Sequence, residues 1–136
     1  MLWRLERLKL IDCRQYLFTK KLHLKELTLC YYLYDKENYG YNELKITRVM
    51  INPLLSEELH MVDFRDIVTP EAVKAVGESC PNLKFLQISI NSESSILSIC
   101  KFSSLKTLYI DLQYHGVSSG NLVKILGDHF KFVECY

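Results

Sequence analysis

The residues that could act as nucleophiles or general bases are scattered along this chain. Cys80 is the candidate nucleophile, because a thiolate with a histidine base beside it can attack a carbonyl carbon. The four histidines fall in no recognised catalytic motif; they are His23, His60, His115 and His129. We therefore predict that the chain is not an enzyme, and a screen for hydrolase activity would test this.

The sequence also lacks the common ligand-binding motifs. The five cysteines are odd in number and include no Cys-x-x-Cys pair, which favours buried reduced thiols over disulfides or zinc. The five glycines form neither of the glycine-rich loops that hold phosphates. The aspartates form neither a calcium loop nor a paired-carboxylate motif. We predict no cofactor and no metal ion.

Length and composition restrict the class of protein. A chain of 136 residues fits one domain, and 49% hydrophobic with 24% charged residues is typical of a soluble globular protein. The formal net charge of +1 gives no overall field to hold a nucleic-acid backbone or an anionic membrane. No apolar run approaches the roughly 20 residues that cross a bilayer, and residues 1–7 lack the apolar stretch of a signal peptide. We expect no nucleic-acid or membrane partner, and a location in the cytoplasm with the nucleus as the alternative.

A leucine repeat organises the elements that would position these residues. Residues 5–13 match the pattern L-x-x-L-x-L-x-x-N/C at every fixed position, with Leu8 fourth in the pattern. The fourth-position residues of the further copies are Leu27, Leu44, Leu59, Leu86 and Leu108. The copies at Leu44 and Leu59 keep only part of the pattern. The sequence therefore predicts six irregular repeats.

The copies contain an alternation of period two, as in Leu8-Lys9-Leu10 and Leu108-Tyr109-Ile110. Leucines three and five residues apart partly satisfy the stripe of an amphipathic helix. A period of two is instead that of a half-buried strand, whose successive side chains point to opposite faces. We therefore interpret the copies as strands.

The segment between Leu59 and Leu86 has the signals of a helix. Thr69 can cap its first turn, Pro70 suits the first helical position, and Glu71 complements the positive end. Its apolar face would consist of Ala72, Val73 and Val76. We expect the helix to end at Cys80-Pro81, because proline disfavours helical geometry in the residue before it.

The predicted order is a strand, a turn, a helix and then Cys80-Pro81-Asn82-Leu83 before the next strand. This order resembles the cysteine-containing leucine-rich repeats of F-box/LRR proteins. The resemblance is clear over residues 59–91 and looser over residues 105–126 and the N-terminal repeats. It implies a packed thiol at Cys80. It also implies a curved solenoid that presents substrates to a cullin-type ubiquitin ligase, whose adaptor is held by a separate N-terminal F-box.

The expected fold is α/β, a leucine-rich repeat solenoid with a short curved parallel sheet and helices or irregular turns on its convex side. We expect residues 1–136 to form a single domain, as a fragment or short paralogue of a longer solenoid. Nothing before Leu5 could supply the several helices of an F-box, so the cullin-ligase adaptor is a partner only if an F-box lies upstream. The alternative function is a free-standing leucine-rich repeat scaffold or adaptor unrelated to ubiquitin.

Residues 31–41 interrupt the rhythm of the repeat and hold more than half of the nine tyrosines. Tyrosine offers a large contact area with a polar tip, which suits a binding surface. The other interpretation is that these rings pack over a short repeat while residues 35–40 form a turn. We slightly favour the packing interpretation.

In stacked repeats the fixed leucines point into the core, and the residues between them line one exposed, concave sheet face. The partner-binding residues predicted for this face are Arg7, Lys9, Glu26, Thr28, Glu43, Lys45, Glu58, His60, Phe85, Gln87, Tyr109 and Asp111. The same alternation adds Ile11, Thr47, Val62, Ser89 and Thr107 to the face. Basic groups at one end, acidic groups in the middle and aromatic rings at the other end suit a protein partner, such as a ubiquitination substrate.

Overall fold

The chain forms one six-stranded sheet in which neighbouring strands follow each other in sequence. The computed structural model describes residues 5–11, 20–30, 45–112, 119–130 and 132–135. The strands are β1 (Arg7–Ile11), β2 (Glu26–Cys30), β3 (Met61–Ile67), β4 (Phe85–Ile90), β5 (Thr107–Leu112) and β6 (Phe132–Cys135). The helices are α1 (Arg48–Ile51), α2 (Pro70–Ser79), α3 (Glu93–Ile99) and α4 (Ser119–His129), with a 3₁₀ turn at Asn52–Leu54. All strand pairs are parallel, which confirms the α/β class.

The fixed apolar positions of the repeat align across the sheet. One row, at the fourth position of the pattern, consists of Leu8, Leu27, Val62, Leu86, Leu108 and Val133. The row is buried in the middle strands and partly buried in β1 and β6, which each have a neighbour on one side. The buried residues of α2, α3 and α4 belong to the same core, so these helices cover this side of the sheet.

Helix α2 begins and ends where its sequence signals predict. The hydroxyl oxygen of Thr69 accepts a hydrogen bond from the backbone N–H of Ala72 at 3.3 Å, and Pro70 is the first helical residue. The helix ends at Ser79, directly before Cys80. Its buried residues are Ala72, Val73, Ala75 and Val76, which are all fully inaccessible to solvent. The predicted apolar face is therefore the face that packs on the sheet.

A glycine allows a core aromatic ring to approach α2 closely. A Cβ atom added at Gly77 would lie 2.5 Å from Cε1 of Phe102, nearer than real contacts allow. Phe102 follows α3 and belongs to the hydrophobic core. Because Gly77 has no side chain, α2 can pack closely against the segment after α3.

The middle of the chain differs from the predicted repeats. Leu44 lies outside the described residues, and Ile46 forms an isolated parallel bridge with Val68. Leu59 is buried two residues before β3, and Val62 pairs with Leu27 at the fourth position of the pattern. The prediction that Leu59 fills the fourth position was wrong, whereas the prediction for Leu44 lies outside the described residues.

The leucine pattern does not predict the position of β3, because its fourth position is a valine and its sixth is Phe64. In the sheet β2 pairs directly with β3, and Ile46, in the described part of the connection between them, forms an isolated bridge. The sixth strand of the described sheet is β6, at residues 132–135.

Candidate protein-binding face

The side of the sheet opposite the helices carries three rows of side chains, which we call the strand face. The first row is Arg7, Glu26, Met61, Phe85 and Thr107. The second row is Lys9, Thr28, Asp63, Gln87, Tyr109 and Glu134. The third row consists of two pairs, Ile11 with Cys30 and Ser89 with Asp111, and the register shift in β3 interrupts the row between them. Parallel strands about 4.8 Å apart place the members of a row side by side.

The structure places most of the predicted partner-binding residues on the strand face. These are Arg7, Lys9, Glu26, Thr28, Phe85, Gln87, Tyr109 and Asp111. Thr28 is buried there, with 8% of its surface exposed, so it offers a partner little area. Their role in binding stays a prediction.

Of the residues predicted from the two middle repeats, those that the structure describes do not lie on this face. Val62 is fully buried, because the side chains of β3 alternate in the opposite sense to the predicted one. His60 precedes β3, and Glu58 lies in the turn before it, with its carboxylate 3.9 Å from His23. Lys45 lies beside the isolated bridge, outside the sheet, and Glu43 falls outside the described residues.

Sequence reasoning missed two residues of the strand face, Met61 and Asp63. Met61 lies directly before the buried Val62, and Asp63 lies between Val62 and the buried Phe64. Met61 pairs with Phe85, and Asp63 pairs with Gln87. The alternation of Val62 and Phe64 was the signal that could have found them. The leucine pattern does not predict this alternation, because the fourth position of β3 holds valine in place of leucine.

Two aromatic rings meet on the strand face. Phe85 on β4 and Tyr109 on β5 have ring centroids 5.5 Å apart, with the ring planes tilted by 48°. The two residues are diagonal neighbours, since Tyr109 pairs with Gln87 and Phe85 with Thr107. Such tilted pairs are favourable beyond the area that they bury. Both residues are partly exposed, so the pair presents a fixed apolar surface with the polar tip of a tyrosine.

Asp63 lies beside Gln87 and diagonal to Phe85, and one of its two carboxylate oxygens has no hydrogen-bond partner among the described residues. Its Oδ2 accepts a hydrogen bond from Nε of Arg65 at 3.3 Å, and 13% of its side chain is exposed. Its Oδ1 is buried and has no hydrogen-bond partner among the described residues. A buried acceptor without a donor costs on the order of 1–3 kcal/mol, so Oδ1 of Asp63 is a polar atom that the described part of the fold leaves unpaired at that cost.

The backbone changes register directly after Asp63. Asp63 pairs with Gln87 and Ile67 with Ser89, so β3 advances by four residues where β4 advances by two. Irregularities of this kind bend a strand and redirect its side chains, and they are common beside functional sites. Here the irregularity places the exposed Arg65 within reach of the Asp63 carboxylate.

The charges at the β1 side of the strand face are paired with one another. Nε of Arg7 lies 2.8 Å from Oε2 of Glu26, and Oε1 of Glu26 lies 3.9 Å from Nε2 of His60. Such exposed pairs contribute little to stability, about 0–1 kcal/mol each. They hold the carboxylate of Glu26 between two basic side chains, which limits its attraction for a basic partner.

The candidate nucleophile Cys80 lies in the core and not on the strand face. It is 4% exposed, and burial raises the pKa of its thiol to about 11, against smaller opposing effects from a Ser56 backbone hydrogen bond and the charge of Lys21. A thiol with so high a pKa carries almost no thiolate near neutral pH. Its environment is that of a packed thiol.

Within the part of the chain that the structure describes, no group of three or more histidine, cysteine, aspartate or glutamate side chains could hold a metal ion. Among the same residues, no helix is long and apolar enough to cross a bilayer. The strand face is the candidate site that remains.

No family model, curated protein or solved structure matches the chain.

Proposed function

We propose that this chain is a protein-protein interaction module of the leucine-rich repeat type, and that its strand face binds the partner. The observation that carries the proposal is the contact between the Phe85 and Tyr109 rings, which are both partly exposed on the strand face, with Asp63 diagonal to Phe85. Aromatic anchors are typical of the centres of protein interfaces.

The repeat itself supports the leucine-rich repeat assignment. Each described strand contributes an apolar residue to the same row, and α2 follows β3 on the opposite side of the sheet from the strand face. Cys80 packs in the core at the end of α2, where the resemblance to F-box/LRR proteins implies a packed thiol. A stack of such units would present a continuous face on which a partner can bind across several strands.

We further propose that the module recognises substrates for an F-box/LRR-type ubiquitin ligase. The support is the resemblance around residues 59–91 together with the Thr69-capped helix and the packed Cys80. In this proposal the cullin-ligase adaptor binds an F-box elsewhere in the native protein. The alternative is a scaffold or adaptor that uses the same face without any link to ubiquitin.

The native product distinguishes these two functions. Immunoblotting and mass spectrometry of the protein purified from its own cells would give its size, its N-terminal sequence and any co-purifying ligase adaptor. An F-box with bound adaptor supports substrate recognition. A native product without either supports the scaffold.

The strand face is tested first by site-specific crosslinking. A photoreactive phenylalanine analogue at Gln87, which pairs with Tyr109 and lies two residues after Phe85, should capture a partner in cells, because Gln87 lies in the middle row of the face. The same analogue at Leu97, which is 62% exposed on α3, is the matched control on the helical side. Capture of the same protein from both positions would contradict binding by the strand face.

The captured partner then allows a quantitative test. We expect Phe85→Ala and Tyr109→Ala each to weaken its binding tenfold or more, because loss of an aromatic anchor typically costs about 2 kcal/mol. Isothermal titration calorimetry measures this, with Leu97→Ala as the control and circular dichroism to verify folding. Unchanged affinity in both aromatic variants would exclude this face as the binding site.

A further inference from the structure

A column of basic side chains runs across the edge of the sheet where the strands begin. Its members are Lys25, His60, Lys84 and Lys106, each one residue before the first residue of its strand, and we call it the basic column. The backbone N–H of His60 donates to the carbonyl of Lys25 at 3.0 Å, and the N–H of Lys84 to that of His60 at 2.9 Å. The N–H of Lys106 donates to the carbonyl of Lys84 at 2.9 Å. These bonds hold the four residues at neighbouring positions.

Carboxylates balance the first half of the basic column and not the second. Nζ of Lys25 lies 3.1 Å from Oε1 of Glu6, and Nε2 of His60 lies 3.9 Å from Oε1 of Glu26. Within the described residues, Lys84 and Lys106 form no ion pair. Both are exposed. Like charges on neighbouring strands repel each other, so this pair favours an anionic partner.

The unbalanced lysines adjoin the aromatic part of the strand face. Lys84 directly precedes Phe85, the first residue of β4, and Lys106 directly precedes β5, three residues before Tyr109. Both rings therefore lie near the strand starts at which the two lysines stand. The site combines two ammonium groups at the edge with an apolar surface next to them.

We propose that Lys84 and Lys106 bind an acidic segment of a protein partner, whose adjacent apolar side chain contacts the Phe85–Tyr109 rings. The proposal rests on the proposed function of the strand face and adds the chemistry of the partner. Carboxylates of glutamate or aspartate complement the two ammonium groups, and charge complementarity of this kind mainly sets the rate and selectivity of association.

The charges around the column favour an acidic protein over a nucleic acid. Asp63, Asp111 and Glu134 lie on the strand face a few residues away, and a continuous phosphate backbone would approach these carboxylates as well as the lysines. A protein segment can instead place separate carboxylates over the edge and an apolar residue over the rings. The formal net charge of +1 also gives no broad attraction for a polyanion.

The test uses a fluorescent peptide with glutamates on both sides of one phenylalanine, and the same peptide with glutamines as its uncharged counterpart. Fluorescence anisotropy at low salt gives the affinity of the wild-type protein for each. We expect the glutamate peptide to bind and the glutamine peptide to bind at least tenfold more weakly. No measurable binding of the glutamate peptide, or equal binding of both, would overturn the proposal.

Matched variants localise the binding to the basic column. Lys84→Gln/Lys106→Gln should weaken binding of the glutamate peptide about tenfold, since two exposed charge contacts are lost. Lys74→Gln/Lys124→Gln changes the net charge by the same amount at exposed positions of α2 and α4 and should leave the affinity unchanged. Lys84→Arg/Lys106→Arg should retain binding. An equal loss in both glutamine variants would assign the effect to net charge and contradict the proposal.

Two further outcomes separate this proposal from the function on which it rests. A short DNA duplex that binds more tightly than the glutamate peptide, in a manner dependent on Lys84 and Lys106, would replace the acidic protein with a nucleic acid. A crosslinked partner whose affinity falls with Tyr109→Ala but not with Lys84→Gln/Lys106→Gln would overturn the acidic-segment proposal and leave the strand-face function intact.

Discussion

Burial decides the chemistry of Cys80. The residue type alone allows a nucleophile, but the thiol is 4% exposed and its pKa is raised to about 11, chiefly because burial penalises the thiolate. Desolvation also raises the pKa of the Cys100 thiol, which is less buried than that of Cys80. Both thiols are therefore less reactive near neutral pH than an ordinary cysteine.

The raised pKa of Cys80 links stability to pH. The unfolded chain releases the thiol proton near pH 9.0, whereas the folded chain retains it up to about pH 11. The unfolded state thus binds fewer protons in this window, and the free energy of unfolding falls as pH rises through it. A difference of about two pH units corresponds to a loss on the order of 3 kcal/mol.

Urea denaturation at pH 8 and pH 10.5 would measure this loss. Cys80→Ala is the control, because lysines and tyrosines titrate in both proteins while the thiol is absent from the variant. We expect the wild type to lose clearly more stability between the two pH values than the variant does. Equal losses would mean that the thiol has a similar pKa in the folded and unfolded states.

The two aromatic residues of the candidate site could be predicted from the sequence, but the Asp63 carboxylate could not. Phe85 and Tyr109 follow from a strict alternation in strands whose fixed positions are leucine or isoleucine. Asp63 depends on the register of β3, where Val62 and Phe64 fill the fixed positions. Its unsatisfied oxygen depends on the bulge that follows, for which the sequence has no local signal.

Among the elements, α2 packs so closely that its glycine restricts substitution. We expect Gly77→Ala to lower the free energy of unfolding by about 1–3 kcal/mol, because its methyl group would meet the Phe102 ring at 2.5 Å in a filled core. Thermal or urea denaturation followed by circular dichroism measures the change.

The matched control is a glycine in another helix. Gly127 in α4 has no heavy atom within 4 Å of an added Cβ, so Gly127→Ala should raise stability by up to about 1 kcal/mol through helix propensity alone. Stabilisation by both substitutions would show that the Phe102 ring moves aside without cost.

Elements with local signals could be predicted, and elements set by distant packing could not. Helix α2 has a capping threonine, a proline at its first position and a Cys-Pro end, and the structure follows these signals. The short helix α1 and the bridge at Ile46 have no comparable pattern. Their positions follow from contacts with α2 and with the end of β3, which are remote in sequence.

For the whole molecule, the α/β class and the parallel sheet follow from leucine alternation separated by helical or turn-like segments. The number of strands was predicted as six, but one predicted strand forms only a bridge and the C-terminal β6 completes the sheet. When the spacing of a repeat is uneven, the sequence does not show which copies form neighbouring strands of the sheet. The strand pairing depends on the hydrophobic core that the copies share.

The strand order also has a consequence for the unfolding of the chain. Every strand is hydrogen-bonded to the strands directly before and after it in sequence, so the ends can fray without breaking the centre. We expect native-state hydrogen exchange to be slowest for amides in β3 and β4 and fastest in β1 and β6. Uniform exchange across the sheet would mean that the chain opens as one cooperative unit. Graded exchange would mean that the ring pair on β4 and β5 persists while the outer strands open and close.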